Sequence, residues 1–219
     1  MRSAPARTAA ALAVAALLTS CSSGDGGDAP EAPKGLTAAQ ACGGFAKDTA
    51  ATAALNAVLG GDRFEDNLSK PEKAVAALRA DAAAPWADAY RPQPVTYCGL
   101  RPEAGGEKDL KIQVNAAEEA PEVDTRLADK ATYFAAGLRA YSSSSLGKLY
   151  FSCRLKAPAH EIVVETSVWG PADAPETDEA QRTRLITLAN AAARDVSAKL
   201  GCEGDGLGTG VPAPAAKSS

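Results

Sequence analysis

A chain of 219 residues carrying 23 basic and 27 acidic side chains, one histidine and five cysteines is long enough for one domain with a full core. Its acidic balance offers no electrostatic ground for holding nucleic acid, whose binding rests on lysine and arginine releasing counterions from phosphates. Metal centres built on paired cysteines are equally disfavoured, because the cysteines lie far apart along the chain and a single histidine is present.

Residues 1–20 read as a signal peptide. Arg2 and Arg7 supply a positive start, and the apolar run Ala9–Leu18 spans only about half the length that crosses a bilayer. The run ends in Leu18-Thr19-Ser20-Cys21, which resembles the lipobox of bacterial lipoproteins. That resemblance implies a diacylglyceryl group on the Cys21 thiol, cleavage before it, and an extracytoplasmic, membrane-anchored product. Two acyl chains give stable attachment where one does not. Cleavage removes two arginines, leaving 21 basic against 27 acidic residues and a net charge of −6. The following "SSGDGGDAPEAPKG" has no core-forming residues, so residues 21–36 are expected to be a lipidated cysteine and flexible linker. As a coil, Ser22 to Lys34 reaches on the order of 20 Å.

The domain itself is expected over residues 37–202. Asp48 can cap a helix that runs to Leu59 and ends at Gly60. Ser69-Lys70-Pro71-Glu72 has the form of a capping box, opening a helix that stops before Pro85. The period then changes to two. "VTYCGLR" and "LKIQVN" read as a hairpin, and "LYFSCRL" with "EIVVETSVW" as a second. Both first strands carry a C-x-L followed by a base, at Cys98 and Cys153. Leu185, Leu188, Ala189, Ala192, Val196 and Leu200 form the stripe of a last helix, which Gly201 ends. Residues 203–219, rich in Gly, Pro and Ala, are expected to be a disordered tail.

With Cys21 assigned to lipid, Cys42, Cys98, Cys153 and Cys202 read as two disulfides, for which three connectivities exist. Helices packed on one sheet face would bring helix-end and strand cysteines together, which favours Cys42 with Cys98 and Cys153 with Cys202. The expected fold class is α+β, an antiparallel sheet of about four or more strands with helices mainly on one face.

The lipobox, Cys42-Gly43-Gly44, Leu59-Gly60, Tyr97-Cys98, "LYFSC" and "AAARDVSAKLGC" together resemble uncharacterised actinobacterial cell-surface lipoproteins. The abundance of alanine and scarcity of lysine fit a GC-rich source of that kind. The resemblance implies no catalytic residues and no cofactor.

Catalytic chemistry finds little support. His160 lies in a turn, Ser142 to Ser145 lack a nucleophile-elbow context, and Glu118, Glu119 and Asp124 read as solvated acids. A non-catalytic binding or envelope-accessory module is expected, with a cell-envelope hydrolase or transferase as the alternative. Its partners would be membrane lipid through Cys21 and an envelope protein, glycan or small ligand. The candidate binding residues are aromatic: Tyr133, Phe134 and Tyr141 in the aperiodic stretch from Pro121 to Gly147, and Trp86 and Tyr90 beside "RPQP". Exposed, they would mark a recognition face; buried, they would complete a core that has few other large rings.

Overall fold

Alternating apolar residues over four long stretches dictate a sheet with one dry face, and the computed structural model, which describes residues 34–84, 92–175 and 177–216, contains one. Eight antiparallel strands lie in the order β1-β2-β3-β7-β6-β5-β4-β8. They are β1 (Phe64–Asp66), β2 (Val95–Pro102), β3 (Leu110–Ala117), β4 (Thr132–Ala135), β5 (Arg139–Ser142), β6 (Leu146–Cys153), β7 (Ile162–Trp169) and β8 (Ala213–Pro214). The helices are α1 (Thr49–Leu59), α2 (Pro71–Ala83), the single turn α3 (Thr125–Ala128) and α4 (Glu179–Leu200). The fold is α+β, with about twice the smallest strand number expected.

Local chemistry explains the helix ends. The Asp48 carboxylate accepts the Ala51 N–H at 2.8 Å, and Gly60 closes α1 at φ 78°. Asp178 accepts the Gln181 N–H at 2.8 Å at the start of α4, and Gly201 ends it at φ 80°. At α2 the capping-box reading gives way. Pro71 opens the helix, Lys70 precedes it, and no side chain caps it. Ser69 turns instead toward the sheet, where its hydroxyl accepts the Gly99 N–H at 3.0 Å.

The dry face belongs to the helices. Cys98, Leu100, Ile112, Val114, Leu149, Phe151, Val164 and Val168 are all buried in one core with Leu185, Leu188 and Val196 of α4. The register makes them neighbours across strands: Cys98 faces Ile112, Ile112 faces Val168, and Val164 faces Phe151. Helix α2 packs on β2 and β3, α4 on β5, β6 and β7, and α1 rests against α4. Burying a Leu or Phe of this kind contributes about 1.5–3 kcal/mol. Close approach of α4 requires Gly147, where a Cβ would stand 2.7 Å from the Leu185 backbone.

Two disulfides staple the edges of this core. Cys42, ahead of α1, joins Cys98 of β2 with Cα atoms 5.4 Å apart. Cys153, at the end of β6, joins Cys202, just after α4, at 4.8 Å. They close separations of 56 and 49 residues, so each restricts the unfolded chain by about 4 kcal/mol in the loop-entropy account.

Three expectations are corrected. The ordered chain begins before residue 37, because Leu36 exchanges backbone hydrogen bonds with Phe64 at 2.8 and 2.9 Å. The stretch from Pro121 to Gly147 is not a loop but α3, β4, β5 and the start of β6; four-residue strands are too short to show a period. Residues 203–216 are not a disordered tail. The Glu203 N–H donates to the Arg154 carbonyl, Ser197 bonds Asp205, and the Asn190 amide donates to the carbonyls of Gly208 and Gly210 at 2.9 and 3.3 Å. The strap then supplies β8 to the edge of β4. Its order comes from α4 side chains that satisfy glycine carbonyls, which composition does not reveal.

Candidate functional site

The second face of the sheet carries the chemistry. Along β7 the residues that alternate with the core are Glu165, Ser167 and Trp169. Register places Tyr150 opposite Glu165 and Lys148 opposite Ser167 on β6, and Gln113 opposite Ser167 and Lys111 opposite Trp169 on β3. Tyr141 of β5 continues the row beside Lys148, and Tyr133 of β4 lies beside Tyr141.

The polar members hold one another. Lys148 Nζ lies 2.7 Å from Glu165 Oε1, and the Ser167 hydroxyl donates to the same oxygen at 2.7 Å. Tyr150 hydrogen-bonds both Glu165 and Tyr141, and Lys148 stands 5.9 Å from its ring centre. Burial, then the Glu165 charge, pushes the Tyr150 hydroxyl far above the usual phenol range. Burial likewise raises Tyr141. Both phenols therefore act as neutral hydrogen-bonding groups at ordinary pH. The network fixes its side chains in place beneath and beside the exposed part of the face.

Beyond this network the face opens. Trp169 is 45% exposed at the end of β7. Next to it, over β2 and β3, lies a cleft of roughly 350 Å3 whose lining includes Leu68, Thr96, Gly99, Arg101, Glu107, Asp109 and Lys111. Leu68 at its rim is 68% exposed and has φ 75°. A non-glycine residue in the left-handed region costs about 1–2 kcal/mol. It is held there by the hydrogen bonds of its neighbours, from Asn67 N–H to the Gly99 carbonyl at 2.7 Å and from Lys70 N–H to the Tyr97 carbonyl at 3.2 Å. Gly99 is required beneath, since a Cβ there would meet the Asn67 carbonyl oxygen at 2.2 Å.

The aromatic residues singled out from sequence stand elsewhere. Phe134 belongs to the main core. Tyr133 and Tyr141 pack with ring centres 6.3 Å apart and form a second buried cluster with Tyr150, under Ala120, Val123 and Leu127. Arg139 pins that cover by donating to the carbonyls of Ala120 and Pro121 and pairing with Glu122 at 2.8 Å. The exposed-recognition reading of Tyr133, Phe134 and Tyr141 is thus corrected: Phe134 is buried in the main core, and Tyr133 and Tyr141 are buried because the β3–β4 connection folds over them. Cys21, Trp86 and Tyr90 lie outside the described residues. His160 is an exposed turn residue whose N–H donates to the Ala82 carbonyl, and the Ser142 hydroxyl donates to the Leu146 carbonyl. Asp124 caps α3, and Glu118 and Glu119 are exposed. Sequence reading passed over Lys111, Lys148, Glu165, Ser167 and Trp169. Their signal was the alternation E-T-S-V-W, a polar-aromatic outer face on a strand whose inner face is apolar.

A second polar group serves the frame. On the helix side, the Tyr97 hydroxyl donates to Asp195, while Lys199 Nζ reaches Asp195 at 2.7 Å and the Tyr97 oxygen at 3.0 Å. Burial and then Asp195 drive the Tyr97 hydroxyl far above its ordinary range. Arg194 pairs with Asp48 at 3.1 Å, linking α4 to the cap of α1. Among the described residues no group of three His, Cys, Asp or Glu side chains could hold a metal ion, and no helix is long and apolar enough to cross a membrane. Compared with known protein families, curated proteins and solved structures, the chain has no match.

Proposed function

We propose that this chain is a lipid-anchored extracytoplasmic binding module, attached through acylated Cys21 and presenting the open sheet face to an envelope ligand. The observation that carries the binding half is the face itself. A largely buried Tyr141–Tyr150–Glu165–Lys148–Ser167 network braces one end of the face, and past it the face presents an exposed indole and a cleft. A surface of that kind recognises by shape and hydrogen bonding. The non-catalytic reading is supported by the engagement of each polar network member with another. The anchoring half rests on Leu18-Thr19-Ser20-Cys21, and the two disulfides are compatible with an oxidising compartment.

Each half has its own test. In detergent phase partitioning of cells expressing the chain, the wild type is expected in the detergent phase and Cys21→Ala in the aqueous phase; equal partitioning removes the anchor. The soluble Cys21→Ala chain is then expected to be retained on washed cell envelopes, and Trp169→Ala in that background to be released. Retention that ignores Trp169 removes the binding face.

A further inference from the structure

The exposed indole of Trp169 lies outside the cleft but adjoins it through Lys111. Lys111 lines the cleft and stands directly opposite Trp169 across the β3–β7 ladder, while Gly99 faces Lys111 on β2 and bonds Asn67 beyond it. Three strand spacings separate Leu68 from Trp169, about 14 Å. That span takes a ligand of a few linked rings.

The chemistry of the lining selects among ligands. Arg101 and Lys111 have no ion-pair or hydrogen-bond partner among the described residues, and neither do the carboxylates of Glu107 and Asp109. Two free cations and two free carboxylates leave the lining electrically balanced. A polyanion would meet the acids, and a polycation the bases. A purely apolar ligand would bury four charged groups without partners, which is costly. What a balanced lining satisfies is a ligand whose groups both donate and accept, namely hydroxyls. Trp169 supplies the flat apolar surface against which the C–H face of a sugar ring stacks, and Leu68 supplies a methyl rim at the far end. Leu68 carries two unfavourable features at once, exposure and left-handed backbone, and a ligand ring seated against it would remove the first.

We infer that the surface from Trp169 to Leu68 binds a neutral oligosaccharide, stacked on Trp169 and hydrogen-bonded by Lys111, Arg101, Glu107 and Asp109. The inference rests on the binding-module reading and specifies its ligand. The test is calorimetric titration of the full mature chain, as Cys21→Ala, with maltotetraose and with tetra-N-acetylchitotetraose, and with dextran sulfate as the anionic control. One neutral tetrasaccharide is expected to bind with an affinity nearly unchanged from low to physiological salt. Trp169→Ala is expected to weaken it about tenfold or more, and Asp109→Asn several-fold, the first being an exposed side chain whose loss leaves the fold intact. No heat with either neutral sugar, equal binding by Trp169→Ala, or binding confined to dextran sulfate and abolished by salt would each overturn the inference. Failure here alongside Trp169-dependent retention on envelopes would leave the binding face standing with a different ligand. Failure of both removes the face itself.

Discussion

The two faces of the sheet are made from the same strands and do opposite work. On β7, Ile162, Val164 and Val168 point to the helices and are buried, while Glu165, Ser167 and Trp169 point away, Ser167 buried within the polar network, Glu165 partly covered and Trp169 exposed. Thr166 is the one polar side chain that β7 sends inward, and its hydroxyl has no partner. The inner face is held by area removed from water, which offsets the cost of about 1–3 kcal/mol of leaving the Thr166 hydroxyl unsatisfied. The outer face is held by hydrogen bonds among Lys148, Glu165, Ser167 and Tyr150 and keeps an indole free. The main core lies on one side; the other side holds a smaller buried tyrosine cluster and, past it, the exposed surface around Trp169.

The largest expected effect separates these roles within one strand. Phe151 is fully buried on the helix side of β6, so Phe151→Ala should cost about 3–5 kcal/mol in urea unfolding. A cost near 1 kcal/mol would mean that the helices pack loosely on the sheet. Next comes the staple between β6 and α4. Replacing Cys153 and Cys202 together by alanine should cost about 2–4 kcal/mol, measured the same way, with the free energy recovered from the unfolded side. No change would show that the helix face holds α4 without covalent help.

Two buried phenols, one on each face, sharpen the comparison. Tyr97 sits against Asp195 under α4, and Tyr150 against Glu165 on the open side. Both have folded pKa values raised above the usual 10.0 by burial first and the neighbouring carboxylate second. Above pH 10 the unfolded phenols lose their protons while the folded ones keep them. The unfolded state then binds fewer protons, so stability present below that pH is lost as pH rises toward the folded values. Each phenol should contribute a slope of about 1.4 kcal/mol per pH unit. Tyr97→Phe and Tyr150→Phe should each flatten unfolding-versus-pH curves by one such slope. If only Tyr97→Phe does so, the open face admits enough water to ionise Tyr150.

Legibility followed the range of the forces involved. Helix ends were readable at Asp48, Gly60 and Gly201 because capping is decided within a few residues. The cysteine pairing was readable because helices on one sheet face leave few ways to join a helix end to a strand. At Ser69 the same local logic failed, since the hydroxyl had a better partner on β2 than on its own helix. Strands β4 and β5 join β6 in a meander with connections of three residues, and each is too short for its own period to show; the strap is ordered by Asn190, which lies 18 and 20 residues from the carbonyls it holds. The site was hidden for a related reason. A polar outer face looks like solvent-facing strand in sequence, and only register brings Lys111, Glu165 and Trp169 to one surface.

The smallest expected effect is the one that most directly tests the division. Trp169 is a large apolar residue, and on the inner face its loss would be among the most costly substitutions available. On the outer face it is 45% exposed, opposite Lys111 on one side and Leu146 on the other. Trp169→Ala should therefore cost about 1 kcal/mol in unfolding stability, because part of the ring is covered, well below the loss expected of a fully buried aromatic. A cost near 1 kcal/mol in urea unfolding combined with lost ligand binding would assign the indole chiefly to recognition. A cost of about 2 kcal/mol or more would place it among the packed residues and move the boundary between the faces to the end of β7.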